Sequence, residues 1–140
     1  MGFFDVLCST SGIPLRNMTQ LVLMAETTPE NDDWVAIALP IAEAYMEVEA
    51  ANLMRFRACR LFDSGKPCGA EANMAKHLAA KASWQAGEAC LQFHGGYGFA
   101  AEYDVERKFR ETRLYQVAPI STNLILAYVA EHVLGLPRSF

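Results

Sequence analysis

The sequence predicts an all-α protein that folds as an up-and-down helical bundle. Two long segments carry apolar residues at helical spacing and end in glycine-containing stops, two shorter segments of the same kind follow, and no convincing strand is present. Because long helices joined by short turns pack antiparallel, these observations together indicate a bundle.

Length and charge restrict the class of protein further. A chain of 140 residues corresponds to about one domain. The net charge of −4 argues against nucleic acid or an anionic membrane as the main partner. No stretch reaches the roughly 18 apolar residues that a membrane helix requires. We therefore expect a soluble protein with neither a nucleic-acid nor a membrane partner.

The four cysteines are scattered and show no metal-binding spacing with the three histidines. This pattern indicates free thiols in a reducing compartment, and hence a cytoplasmic location. We expect no metal site.

Residues 1–33 differ from the rest of the chain. Gly2, Gly12, Pro14 and Pro29 interrupt them, and only residues 18–26 could form a short element, whose type the sequence leaves open. We expect an irregular N-terminal segment over 1–33 and a helical bundle over 34–140.

The first long helix is predicted to begin at Pro40, where a missing N–H group does no harm, and to end at the Gly65–Pro67 stop. Acidic residues occupy its first half and arginines its second, an order that suits the helix dipole. The acidic and basic positions are Glu43, Glu47, Glu49, Arg55, Arg57 and Arg60.

The second long helix is predicted over 70–93, where helix propensity is high throughout and eight alanines allow close packing. Two shorter helices are predicted over 105–116 and about 121–134, the latter stopped by Gly135 and Pro137. The broad apolar faces exceed what residues 1–33 can cover, so we expect self-association into a homo-oligomer.

A glycine corner separates the second and third helices. Gly95, Gly96 and Gly98 fall within four residues and lie among aromatic residues. Glycine permits positive φ and close approach of a ligand to the main chain, and the helix start after Asp104, a candidate N-cap, adds outward N–H donors. Such a corner could hold a pyrophosphate or could simply let two helices turn sharply, and the spacing alone favours the second interpretation.

Residues 91–121, LQFHGGYGFAAEYDVERKFRETRLYQVAPIS, resemble the C-terminal domain signature of the acyl-CoA dehydrogenase family. The pattern Q-x-x-G-G-x-G-[FY], then E-Y, then V-E-R-x-[FY]-R-[DE]-x-R, is matched in order. The matching residues are Gln92, Gly95, Gly96, Gly98, Phe99, Glu102, Tyr103, Val105, Glu106, Arg107, Phe109, Arg110 and Arg113. The resemblance covers about residues 38–140 and implies that fold with an incomplete first helix.

The resemblance implies FAD as cofactor and a fatty acyl-CoA as substrate, with a glutamate taking the α-proton and the flavin accepting a hydride. The Q-x-x-G-G segment of the family touches the adenosine diphosphate part of a neighbouring subunit's FAD. A second group lies where family residues approach FAD, although a helix N-cap cluster is the alternative for it. The implied cofactor contacts are Gln92, Phe93, His94, Gly95 and Gly96, with Ser121, Thr122 and Asn123 as the second group.

Some family features are absent. An ungapped alignment places Pro119 at the position of the glutamate base, so the sequence offers no catalytic residue. His94 could donate to a phosphate, but a capping role is the alternative. The charged residues Glu106, Arg107, Arg110 and Arg113 have the spacing of surface ion pairs, and we interpret them as structural.

These observations predict the C-terminal domain of an acyl-CoA dehydrogenase-like flavoprotein, an oxidoreductase acting on the CH–CH group of acyl-CoA. Because the resemblance does not extend to the family's N-terminal and middle domains, we expect the chain to be inactive alone. Acyl-CoA would bind only if those domains were supplied. The alternative is a non-catalytic helical oligomerisation module derived from the same family.

Overall fold

The computed structural model describes residues 34–138, and this range contains helices and turns but no strand. The helices are α1 (Trp34–Asp63), α2 (Gly69–His94), α3 (Val105–Val117) and α4 (Thr122–His132). Two 3₁₀ turns, Gly95–Phe99 and Ala101–Tyr103, join α2 to α3. The all-α class is confirmed. The predictions of an irregular segment over 1–33, a short element over 18–26 and an incomplete first helix lie outside the described residues.

Helix α1 begins at Trp34, so the predicted start at Pro40 is wrong and this proline lies inside the helix. A proline within a helix removes one main-chain hydrogen bond. Tertiary packing supports the preceding turn, because Ile37 packs against a buried cluster that includes Ile41 and Ala44 of the same helix. Burial of apolar area there offsets the lost bond.

Helices α1 and α2 pack antiparallel through small side chains. Two ion pairs show the direction: Arg57 Nη2 lies 3.3 Å from Glu71 Oε1, and Lys81 Nζ lies 3.6 Å from Glu47 Oε1. The residues that line the contact are mostly alanines, which allow close approach of the two helices. The buried members include Ala44, Ala51 and Ala58 of α1 and Ala75, Ala82 and Ala86 of α2.

Helix α3 runs antiparallel to α2. The Trp84 and Phe109 rings lie 4.8 Å apart between centroids, and Gln116 Nε2 donates to the Ala80 carbonyl at 3.0 Å. Helix α4 then continues towards the start of α2, where the Tyr128 hydroxyl lies 2.9 Å from the position a Cβ on Gly69 would take. The helices α3 and α4 therefore share one side of α2.

The helix boundaries agree with the sequence except at Pro40. Helix α2 extends one residue beyond each predicted end, α3 one residue beyond its C-terminal end, and α4 ends at His132 rather than at residue 134. Between residues 34 and 138, no helix has both the length and the apolar character needed to cross a membrane.

Candidate functional site

Gly95 ends α2 and starts the glycine corner. Its φ of 54° and ψ of −134° lie in a region that L side chains rarely adopt, and its N–H donates to the Gln92 carbonyl. The Gly95 amide therefore closes the helix and is engaged within the chain. The positive φ predicted for this corner is confirmed at Gly95.

Gly98 is required for a different reason. It is buried, and a Cβ added to it would lie 2.9 Å from both the carbonyl oxygen and Cδ1 of Leu91. Because the carbonyl belongs to the backbone of α2, it cannot move aside easily. The corner folds tightly back against α2 at this point, and only glycine fits.

Gly96 meets neither structural requirement. Its φ is outside the left-handed region, and a Cβ added to it would have nothing within 4 Å. It is also exposed. The described residues therefore give no packing reason for glycine at position 96, and close approach of a ligand to its main chain is a reason that would account for it.

Gln92 lies on the exposed surface just before the corner. Among the residues that the structure describes, none forms a hydrogen bond with its carboxamide, which keeps one acceptor and two donors available. Gln92 and Phe93 also line an open groove, together with Glu43 and Glu88 among other residues. The Phe93 side chain packs against the buried cluster, so Phe93 could contact a ligand through its main chain.

His94 is oriented by its own helix. Its Nδ1 lies 2.8 Å from the Cys90 carbonyl oxygen, which assigns the ring proton to Nδ1 and leaves Nε2 as an acceptor in the neutral form. His94 can therefore donate to a phosphate from Nε2 only when it is protonated. Burial raises the pKa of the neighbouring Cys90 thiol to about 11, so that thiol stays protonated near neutral pH.

Ser121, Thr122 and Asn123 lie far from the glycine corner. Helix α3, which precedes them, ends beside Lys76 and Ala80 of α2. Gln92 lies 12 to 16 residues further along α2 from these two positions. At 1.5 Å per residue, that separation is about 18–24 Å. The structure thus divides the eight predicted cofactor residues into two groups that cannot contact the same phosphate. Within the second group, Ser121 Oγ accepts from the Leu124 N–H at 3.3 Å and caps α4.

Asp104 occupies the N-cap position of α3 as predicted, but its side chain makes no capping hydrogen bond. Instead the residue adopts a left-handed conformation with φ of 61°, and its carboxylate binds the guanidinium of Arg107. Arg107 also binds Glu111, and Arg110 binds Glu106 at 2.7 Å. The basic side chains nearest the corner on α3 are thus engaged in ion pairs.

Within residues 34–138, the carboxylates nearest to Pro119 along the chain are Glu111 and Glu131. Pro119 is exposed, and the carboxylates that follow and precede it along the chain are engaged on helix surfaces. Glu111 binds Arg107 and Lys108, and Glu131 lies 3.9 Å from His132 Nδ1. Among the described residues, no group of three or more His, Cys, Asp or Glu could hold a metal ion.

Three aromatic residues at the corner had no assigned role in the sequence. Tyr97 is 67 % exposed, Phe99 73 % and Tyr103 47 %. The Tyr97 and Tyr103 rings lie 5.4 Å apart between centroids, and the His94 ring contacts Tyr103 edge-on at 6.3 Å. The signal that could have found them is the density of aromatic residues in a segment whose glycines indicate an exposed turn.

Comparison with known proteins gives one consistent relationship. The model of the family 'acyl-CoA dehydrogenase, C-terminal domain' matches residues 17–134. The match therefore starts within residues 1–33, where the sequence alone showed no resemblance to the family. The acyl-CoA dehydrogenase FadE12 of Mycobacterium tuberculosis is 44 % identical over 106 residues, which are 74 % of this chain and 27 % of that protein. The chain thus spans about a quarter of the length of the curated relatives it matches.

Solved structures show the same fold. Butyryl-CoA dehydrogenase from Megasphaera elsdenii has a TM-score of 0.87 at 23 % identity, covering 95 % of this chain and 36 % of that one. The structure of PigA with FAD and proline has a TM-score of 0.86 at 20 % identity, covering 96 % of this chain and 36 % of that one. At these identities the similarity establishes the fold.

Proposed function

This chain belongs to the acyl-CoA dehydrogenase family, whose C-terminal domain it matches, and we propose that it forms the C-terminal helical domain of an FAD-dependent oxidoreductase. The proposed enzyme acts on the CH–CH group of acyl-CoA. In this role the chain contributes contacts to the adenosine diphosphate part of FAD and a subunit interface. Alone, it does not turn over acyl-CoA.

The exposed main chain at Gly96 is the observation that carries the proposal. A diphosphate needs N–H donors that it can approach closely, and a glycine in open space at the start of a 3₁₀ turn offers one. The free Gln92 carboxamide, one turn earlier, adds donors that could reach a ribose or phosphate oxygen. The residues at the corner therefore fit the adenosine diphosphate part of FAD.

Among the residues that the structure describes, none brings the corner a positive charge that is free of an ion pair. The nearest arginines on α3 are neutralised by carboxylates, and the groove beside Gln92 carries Glu43 and Glu88. The charge of a diphosphate would therefore have to be balanced by groups from elsewhere, which supports a shared site between subunits. Bound FAD would supply the hydride acceptor, and this chain would hold and orient its nucleotide end.

Retention of FAD by the purified chain tests the cofactor assignment. After incubation with FAD and desalting, the protein should keep flavin absorbance, and Gln92→Ala should weaken that retention while circular dichroism stays unchanged. Asn52→Ala is the matched control, because this carboxamide lies on α1, outside the corner, and donates to Glu49 Oε1 at 3.4 Å. Equal flavin content in the wild type and Gln92→Ala would show that Gln92 does not contact the cofactor.

An activity measurement tests the catalytic part. With acyl-CoA and an artificial electron acceptor, the chain should reduce no dye, because Pro119 cannot accept a proton. Turnover by the chain alone would show that a base exists which neither the sequence nor the structure has identified.

A second candidate function is a non-catalytic oligomerisation module. Large apolar side chains on the outer face of α1 favour it, including Leu39, Met46, Leu53 and Phe56, all more than half exposed. Light scattering together with a flavin spectrum of the same sample separates the candidates. An oligomer without flavin supports the module, whereas an oligomer with flavin supports the cofactor-binding domain.

A further inference from the structure

The aromatic side chains at the glycine corner form an exposed platform, defined here as Tyr97, Phe99 and Tyr103. Folding normally buries such rings at least in part, and the described part of the chain contains helix contacts that half-bury others, such as Trp84 against Phe109. At the corner, by contrast, the rings project from a turn whose tight packing is made by Gly98 and Leu91. The fold of the described residues therefore gives no reason for aromatic rather than polar side chains here.

Tyr97 is the member placed next to the open main chain. It follows Gly96 directly within the same 3₁₀ turn, in which successive residues rise by only about 2 Å. Tyr103 packs against its ring at a tilted angle, with 5.4 Å between centroids, and His94 packs edge-on against Tyr103. These contacts support Tyr97 within the cluster while two thirds of its surface stays exposed.

We propose that the exposed face of Tyr97 stacks on the purine base of the nucleotide whose diphosphate lies against the Gly96 main chain. An aromatic ring beside a main-chain donor matches the two ends of a nucleoside diphosphate, because the base is flat and apolar-faced and the diphosphate accepts hydrogen bonds. The inference rests on the proposed function and adds a residue that determines affinity for the base. Tyr103 is a positioning residue that acts through Tyr97.

Binding of ADP and FAD, measured by equilibrium dialysis, tests the proposal. Tyr97→Leu should weaken both by about 5- to 150-fold, the range measured for loss of one base–aromatic stack. Tyr97→Phe keeps the ring and should bind within about twofold of the wild type, because the ring face and not the hydroxyl makes the proposed contact. FMN, which has no purine, should bind Tyr97→Leu and the wild type equally weakly.

Tyr45→Leu is the matched control, since Tyr45 is a half-exposed tyrosine on α1 in a helix that does not form the corner. Binding of ADP and FAD that is equal in Tyr97→Leu and the wild type overturns the stacking role and leaves the cofactor site intact. A wild-type chain that binds neither nucleotide overturns both the site and this inference. Equal weakening by Tyr45→Leu and Tyr97→Leu would also overturn it, because the effect would not be local to the corner.

Discussion

The three glycines of the corner show how one residue type can serve three physical purposes. Gly95 supplies a backbone conformation closed to other residues, and Gly98 permits contact with the Leu91 carbonyl. Gly96 has neither task in the described structure. A sequence pattern cannot separate these purposes, because each requires only the absence of a Cβ atom.

Alanine substitutions should separate them. Gly98→Ala should lower the free energy of unfolding by about 1–3 kcal/mol, because its Cβ meets backbone. Gly96→Ala should leave the free energy of unfolding unchanged or raise it by about 0.4–1 kcal/mol, because alanine lowers the conformational entropy of the unfolded chain. The same substitution should reduce flavin retention. Urea unfolding and flavin absorbance measure the two effects. A Gly96→Ala chain that keeps its flavin would show that close approach at this residue is unnecessary.

Lys76 is the second residue whose role only the structure reveals. Its side chain is 3 % exposed and its Nζ donates to the Tyr115 carbonyl in the last turn of α3. Burial lowers its pKa below the ordinary value of 10.5, because the ammonium loses water. Burial of its own ring, together with the positive charges of Lys76 and Lys81, lowers the pKa of the adjacent His77.

This burial makes stability depend on pH. Between the folded-state pKa of Lys76 and 10.5, the unfolded chain binds more protons than the folded chain. The contribution of Lys76 to the free energy of unfolding therefore rises with pH in this range. The gain is complete above 10.5 and is lost as pH falls through the folded-state value. The stability of Lys76→Met relative to the wild type should therefore be highest at neutral pH and should fall as pH approaches 10.5.

Urea titrations across this pH range measure the effect, with the exposed Lys81→Met as control. The substitution also removes the hydrogen bond to Tyr115, which costs about 1 kcal/mol at every pH. A Lys76→Met chain less stable than the wild type by the same amount throughout would show that the buried charge carries no penalty.

At the scale of the elements, reciprocal hydrogen bonds join α2 and α3. Lys76 of α2 donates to the α3 carbonyl of Tyr115, and Gln116 of α3 donates to the α2 carbonyl of Ala80. Both bonds lie where α3 ends, and they fix the position from which the chain turns through Pro119 into α4. Ser121 then caps α4 through Leu124.

Ser121→Ala should lower the free energy of unfolding by about 0.5–2 kcal/mol, because the Leu124 N–H loses its acceptor. Ser121→Asp should retain most of the wild-type stability, since aspartate is an equally good N-cap. Asn123→Ala, two residues away at an exposed position, is the control. Equal stability of Ser121→Ala and the wild type would mean that solvent replaces the cap without cost.

At the scale of the whole molecule, α1 has two apolar faces. One packs on α2 through Ala44, Val48 and Ala51, and the other is exposed through Leu39, Met46 and Leu53, the last of which is 72 % exposed. Exposed residues spaced by seven recur on one face of this 30-residue helix and form an apolar stripe with one residue about every two turns. Such a stripe is suited to association with a second helix.

Leu53→Lys should therefore reduce the molar mass measured by light scattering, while circular dichroism keeps the helical signal. A charge in a buried interface costs several kcal/mol unless it is paired, whereas the same change at an exposed position costs little. Leu134→Lys, near the C-terminus and 65 % exposed, is the control. An unchanged mass for Leu53→Lys would place the subunit interface elsewhere.

The sequence alone determined the all-α class, three of the four described helices to within two residues at each end, and the family, because helical periodicity, helix stops and an ordered signature are local properties of the chain. Only the tertiary structure decided that α1 starts before Pro40, that α3 and α4 share one side of α2, and that Ser121 lies far from Gln92. It also decided that Lys76 is buried and Tyr97 exposed. The physical reason is that burial and contact depend on which helices meet, and residues distant in sequence fix that.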